Sequence, residues 1–392
     1  MESSKVHFKG LNSLRFFAAL FVVIGHIPLN QASLGLPHPT RGALFFRGAI
    51  AVSFFFALSG FLITYLLLEE RRQTGGIDVR NFYLRRVCRI WPLYFAVVFF
   101  GLFFYNALLP AAGIYYNVKY SVPFALALYI FFLPNLMNSL YTVGGILNPL
   151  WSIGVEEQFY LAWAPAMKRV RERVPALCWS ILVVSGLLSC LNYFDVFGIH
   201  LWKNFVGQLK FHFMAAGGLC AWWLHRYKER FIALPVFRSR AIQLLLFLVV
   251  ADYFLFNYLF SLVHMNGLAE EAAQIVLYCW LIVNVAANPR NVVRVDNKVF
   301  DYLGTISYGI YMLHMPAVYM TSGLFRGSAW WGGRIWLYCI AYYGLALGLT
   351  VLLAHLSYRY FESPFLRLKE RRFSLPSSPR AVPPSAPAGL PL

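Results

Sequence analysis

Residues 13–28 read SLRFFAALFVVIGHIP, a run apolar enough to lie in lipid that still carries Arg15 near one end and His26 near the other. In an α-helix eleven residues turn through about 1100°, three full turns plus about 20°, so the two share one face about 16 Å apart along the axis. Both look toward the same interior, and an ionisable residue inside a membrane helix is by default a functional-site hypothesis. The plainer alternative is a histidine that only hydrogen-bonds a neighbouring helix.

The remainder of the chain supports lipid as the solvent. Of its 392 residues, 59% are hydrophobic, 18% aromatic and 13% charged, a far more apolar balance than that of a soluble domain. Windows such as 241–263 and 336–356 are long enough to cross a hydrocarbon core about 30 Å thick. The run from Leu14 to Ile27 lacks a small-residue cleavage site and follows a mostly polar start, so it is expected to stay as an anchor. A net charge of +18 gathers between apolar windows, where cytoplasmic loops carry it, and so does not imply nucleic acid. The six cysteines show no CxxC spacing; they read as small apolar core residues, with neither a disulfide framework nor a metal site implied.

Charge also tests the number of crossings. Basic loops at 69–89, 168–173, 225–230, 290–298 and 359–372 all belong in the cytoplasm under the positive-inside rule. A full span at 121–140 would throw the last four outside. Its uninterrupted apolar run is only Val122 to Leu133, broken by Pro123 and followed by Pro134 and Asn135, a length suited to a re-entrant or interfacial segment. The prediction is an all-α polytopic integral membrane protein of about ten transmembrane helices, with both termini cytoplasmic. The spans fall near 11–30, 48–68, 89–108, 148–166, 176–195, 203–224, 239–262, 271–288, 299–322 and 334–357. Residues 1–10 form a cytoplasmic start and 11–368 the membrane domain. Residues 369–392 make a tail whose prolines, serines and alanines read as disordered.

Two further spans carry polar stripes. In NPLWSIGVEEQFY, Asn148 to Tyr160, Asn148 suits an N-cap and Pro149 the first helical position. Ser152, Glu156 and Tyr160 then share a face at i, i+4 and i+8, while Glu157 points about 100° away. In SYGIYMLH, Ser307 to His314, the stripe is Ser307, Tyr311 and His314. Counting about 1.5 Å per residue from each predicted helix end puts His26, His314 and Glu156 at one level in the outer half of the bilayer, with Arg15 near the cytoplasmic face. At the inner rim, FYLRRVCRIWPLY, Phe82 to Tyr94, follows Arg71, Arg72 and Arg80. Such a stretch serves equally as a topology-setting loop or as an anion site built from guanidinium forks.

Six motifs in order, SLRFFAALFVVIGHIP, FFFALSGFL at Phe54 to Leu62, FYLRRVCRIWPLY, LWSIGVEEQFYLAW, SYGIYMLHMP and SYRYFESPFLRL, resemble the membrane acyltransferase 3 family from residue 11 to about 368. The resemblance implies a ten-helix protein of the bacterial inner (plasma) membrane that moves acyl groups, commonly acetyl from acetyl-CoA, to hydroxyls of cell-surface sugars and related glycosides. It places the family's first-helix Arg and His on Arg15 and His26, and its RxxR motif on Arg86 and Arg89. Nothing in the chain corresponds to the esterase-like domain fused to some members.

Together these readings predict a division of labour. Acyl-CoA phosphates enter lipid only at high cost, so Arg71, Arg72, Arg85, Arg86 and Arg89 are expected to hold them at the cytoplasmic rim, with Arg15 receiving the donor. His26 would deprotonate the acceptor hydroxyl or carry the acyl group itself, with Glu156 or Glu157 orienting it. Ser152, Tyr160, Tyr311 and His314 would line the acceptor side. No tightly bound cofactor is expected; the partners are acyl-CoA, a carbohydrate or glycoside and the bilayer, with the oligomeric state left open. A different class of reading is a glycan transporter or flippase with His26, Glu156 and His314 as a proton relay. A third keeps the chemistry but takes a small glycoside, such as a macrolide sugar. Topology is checked by Lys168→Cys, expected to react with an impermeant thiol reagent only from the cytoplasmic side; labelling from outside restores 121–140 as a span.

Overall fold

The computed structural model describes residues 8, 10–40, 42–114, 116–264, 267–326 and 334–373, and every regular element among them is helical. This is the expected answer in lipid, where a helix satisfies its own backbone groups. Among the described residues ten helices have 16 residues or more. They are α1 (Leu11–Ser33), α2 (Gly48–Thr74), α3 (Val79–Phe103), α4 (Leu150–Val170), α5 (Val174–Tyr193), α6 (Phe211–Ile232), α7 (Arg240–Leu255), α8 (Gly267–Ala287), α9 (Ser307–Phe325) and α10 (Ile335–Leu356). Each overlaps one predicted span. By length and composition six helices, α1, α2, α3, α5, α8 and α10, are apolar enough to cross a membrane on that criterion alone. The others include α4 and α9, whose windows carry the polar stripes.

Several boundaries move for local reasons. The predicted span 203–224 is a short helix, His200–Gln208, followed by α6. The span 239–262 breaks after Leu255 at Asn257, which takes φ 55°, a left-handed conformation that asparagine tolerates. Near 299 a separate helix, Lys298–Thr305, precedes α9 and crosses the start of α1 where Gly304 meets Asn12 O. At the other end Ser363–Phe373 is helical, so residues 369–373 do not belong to a disordered tail; the rest of that tail lies outside the described residues.

The segment 121–140 is not one long helix. Val122–Ile130 and Pro134–Leu140 are separated by a bend at Phe132, φ 55°. Gln158 of α4 holds the bend, donating to Phe132 O at 2.8 Å and to Asn135 Oδ1 at 2.9 Å. Gly154 lets α4 press against Pro134, where a Cβ would stand 2.5 Å from the proline ring. Tyr94 of α3 stacks on Phe132 with ring centroids 4.7 Å apart.

Small residues join the principal helix pair. Gly60 of α2 faces Met214 O and Gly217 of α6 faces Ala57 O, so the backbones touch, as small-residue interfaces do where lipid supplies no hydrophobic drive between helices. Trp163 of α4 donates to Thr64 Oγ1 of α2 at 3.0 Å. A Cβ on Gly217 would lie 1.9 Å from Ala57 O, whereas one on Gly348 of α10 meets nothing within 4 Å. Gly217→Ala is therefore expected to destabilise by about 1–3 kcal/mol, with Gly348→Ala neutral or slightly stabilising, as measured by thermal unfolding in detergent.

Candidate active site

Between α1, α2, α3, α4 and α9 lies a cavity of about 90 Å³. Its polar lining comes from Arg15 of α1, Ser59 of α2, Arg86 and Arg89 of α3, Ser152, Glu156 and Tyr160 of α4, and Ser307, Tyr308 and Tyr311 of α9. The predicted α4 face is thus realised, since Ser152, Glu156 and Tyr160 all look into one space. Of the α9 stripe, Ser307 and Tyr311 line the cavity and His314 lies beyond it.

At one end the charges do not balance. Three guanidiniums share the lining with a single carboxylate, Glu156. That carboxylate accepts from Ser59 Oγ at 2.7 Å and from Tyr160 OH at 3.1 Å. Arg86 lies over the rings of Phe82 and Tyr160, 5.4 Å from each centroid, an attraction that stabilises a cation without neutralising it. The excess positive charge makes this end a place for an anion.

The six predicted phosphate-binding arginines separate into two groups. Arg15, Arg86 and Arg89 line the cavity. Arg71 instead donates to Met167 O and Arg171 O, capping the open carbonyls at the end of α4. Arg72 is mostly exposed and pairs with Glu69 at 2.5 Å. Arg85 pairs with Glu70 at 2.7 Å and donates to Phe373 O at 3.3 Å. Arg71 and Arg85 thus tie helix ends together while Arg72 pairs within α2, and none of the three lines the cavity, so the expected single cluster of arginines divides in two.

At the other end, Ser152 and Tyr311 hydroxyls stand 2.6 Å apart, and Tyr311 also donates to Pro149 O at 2.9 Å. Just past them the rings of His26 and His314 lie with centroids 4.9 Å apart. α1 is continuous from Arg15 to His26, so their axial separation of about 16 Å stands.

Glu156 does not share the histidines' level. Pro149 sits beside Tyr311, and Gly145 against Met315 and Tyr319, so the loop before α4 dips into the bundle and α4 starts deep. Counting inward from the surface therefore placed Glu156 too high. Glu157 turns toward α3, accepting from Trp91 Nε1 at 3.3 Å. Neither carboxylate is hydrogen-bonded to His26, whose Nδ1 bonds Val22 O of its own helix at 2.8 Å. The expectation that a glutamate orients His26 is thereby corrected. So is the helix start: Pro149, not Asn148, is the N-cap position, and the Asn148 side chain accepts from Asn138 Nδ2 at 2.9 Å.

Sequence reading did not single out Ser59, Tyr308 or Gln158. Ser59 had a signal, a hydroxyl beside the contact glycine Gly60. Tyr308, which donates to Ile90 O at 2.8 Å and ties α9 to α3 beside Arg89, had none, because its partner is a backbone atom of another helix.

Fold and site thus define a polytopic helical membrane protein with an arginine-lined cavity leading to paired histidines. The chain belongs to the acyltransferase domain family Acyl_transf_3, whose model matches residues 8–355. It is 26% identical over 381 residues to a provisionally named O-acetyltransferase of Staphylococcus aureus (strain COL), covering 91% of this chain and 57% of that protein. To the peptidoglycan O-acetyltransferase OatA of Listeria monocytogenes it is 24% identical, covering 92% of this chain and 56% of the relative. The chain thus spans a little over half the length of the curated relatives it matches. No solved structure matches.

The sorting of the arginines has a direct consequence for stability. Arg71→Gln removes charged donors from two helix-end carbonyls and is expected to cost about 2–3 kcal/mol. Arg72→Gln touches a pair whose arginine is 64% exposed and should stay within about 1 kcal/mol; thermal midpoints of the two variants decide.

Proposed function

We propose that this protein is a plasma-membrane (inner-membrane) O-acyltransferase that moves an acyl group, in the simplest case acetyl, from cytoplasmic acyl-CoA to a hydroxyl of a cell-surface polysaccharide, lipid-linked sugar or other glycoside. The observation that carries this reading is the cavity itself, arginine-lined at one end and reaching at the other Ser152 and Tyr311, whose ring neighbours His314 and, through it, His26. With the basic loops cytoplasmic, its arginine end faces the donor side. At about 90 Å³ the void is too small for a nucleotide, so the phosphates would be held at the mouth by Arg15, Arg86 and Arg89. The distance of about 16 Å between Arg15 and His26 would be spanned by the donor's thioester arm.

In this reading His26 is the general base. A carbonyl only accepts, so the bond to Val22 O places the hydrogen on Nδ1 and leaves the Nε2 lone pair for the acceptor hydroxyl. The hydroxyl oxygen bonds to the thioester carbon as its proton passes to Nε2. The C–S bond then breaks, and CoA leaves as a thiolate that takes up that proton. Arg15 lies too far away to stabilise the oxyanion and serves donor binding. A polysaccharide acceptor is favoured over a small glycoside by the relatives named as peptidoglycan O-acetyltransferases. What weighs against a proton relay for transport is the position of Glu156, whose carboxylate bonds Ser59 and Tyr160 among the arginines.

The test is CoA release by purified protein given acetyl-CoA and a glycan extract. His26→Ala should abolish release at every donor concentration. Arg89→Lys, which loses the guanidinium fork, should raise the donor KM about tenfold with kcat nearly kept. Glycan translocation without CoA release would instead establish the transporter.

A further inference from the structure

A second space opens between the turn that joins α2 to α3 and the turn that joins α4 to α5. With the basic loops cytoplasmic, it faces the donor side. At about 860 Å³ it is far larger than the cavity among the arginines, and its size is that of a cofactor site. Gly75 and Gly76 form one wall, where a Cβ would meet nothing within 4 Å, so a ligand can approach the backbone closely. Arg71 makes the floor. Its guanidinium is taken up by Met167 O and Arg171 O, which holds Arg171 at φ 45°, a costly backbone for a residue with a Cβ.

The charges of this cleft are unevenly engaged. Asp78 caps α3, accepting from Asn81 N at 3.0 Å and from Asn81 Nδ2 at 2.8 Å. Glu172 is a charge neighbour of Arg71. Lys168 and Arg171 also line the space, and among the described residues neither side chain makes an ion pair or a hydrogen bond. One ion pair links the cleft to the cavity. Arg85, next in sequence to Arg86 of the cavity, pairs with Glu70 at 2.7 Å, and the other oxygen of Glu70 accepts from Asp78 N at 3.0 Å. On α4, Tyr160 of the cavity and Lys168 of the cleft are eight residues apart, about 12 Å along the axis.

We propose that this cleft binds the adenosine end of acyl-CoA, with Lys168 and Arg171 on its 3′-phosphate. This rests on the acyltransferase reading and deepens it. The pyrophosphate stays at Arg15, Arg86 and Arg89, and the nucleotide, too large for their cavity, turns into the space that has room for it. A phosphate monoester carries nearly two charges at neutral pH, and two cations without partners of their own supply charge-assisted hydrogen bonds to it. An anionic lipid headgroup is the rival source of phosphate, since basic side chains at the cytoplasmic surface attract one. It lacks the adenosine for which the cleft leaves room.

The test compares acetyl-CoA with 3′-dephospho-acetyl-CoA as donor. Wild type should show a KM about tenfold lower for acetyl-CoA. The double variant Lys168→Gln/Arg171→Gln, which changes two exposed side chains, should raise that KM to the level of the dephospho donor, with the dephospho KM and both kcat values unchanged. An equal rise for the two donors, or none, overturns the proposal. A second measurement needs no turnover: equilibrium binding of adenosine 3′,5′-bisphosphate and of AMP to the protein in phosphatidylcholine vesicles. The bisphosphate should bind about tenfold tighter, and the double variant should lose that margin. Equal binding of the two nucleotides overturns the site, and loss of bisphosphate binding when phosphatidylglycerol is mixed in assigns the cleft to lipid instead. A selective margin with no CoA release from either donor would leave the nucleotide site standing and remove the acyltransferase reading.

Discussion

The structure is organised around a charge problem. Three guanidiniums lie inside a helical bundle with one carboxylate among them, although an isolated buried ion costs several kcal/mol even after relaxation. The site manages this without neutralising it. Arg86 rests on two aromatic faces, Glu156 is held by two hydroxyls, and the groups share a cavity. A further carboxylate in that lining would make a better-balanced structural network and a poorer anion site. Nearby, Arg71, Arg72 and Arg85 take up partners of their own outside the cavity.

The geometry that permits this comes from an irregular segment. Two short helices and a bend at Phe132, fastened by Gln158 and Gly154, bring the chain back into the bundle before α4 begins. Irregular backbone at membrane depth is tolerated only where protein covers it, and here it is packed against α3, α4 and α9. Because α4 starts deep, Glu156 falls among the arginines and Ser152 meets Tyr311. The polar groups are thereby laid out along one path, with arginines at one end and the packed imidazoles beyond the other.

Much of the site was legible in local sequence. Periodicity alone put Ser152, Glu156 and Tyr160 on one face and Arg15 with His26 on another, because a helix in lipid is rigid and its angular arithmetic survives folding. The weakness of 121–140 as a span could be read from its prolines and length. Depth was another matter. It was counted from helix ends assumed to lie at the surface, and α4 does not begin there. The six arginines looked equivalent as a basic run, since nothing local says which will meet a helix-end carbonyl, a glutamate or a cavity.

The chain by itself determined the class of solvent, the helices, their apolar windows and the polar stripes, because these depend on composition and on a fixed 3.6-residue turn. Only the tertiary structure decided which stripes face one another. It separated Arg15, Arg86 and Arg89 from Arg71, Arg72 and Arg85, set Glu156 rather than Glu157 in the cavity, and gave His26 a histidine neighbour in place of a glutamate. Those choices depend on how helices pack and where loops re-enter the bundle, through contacts such as Gly60 with Met214 O and Tyr311 with Pro149 O, which join residues far apart in the chain and leave no local trace in it.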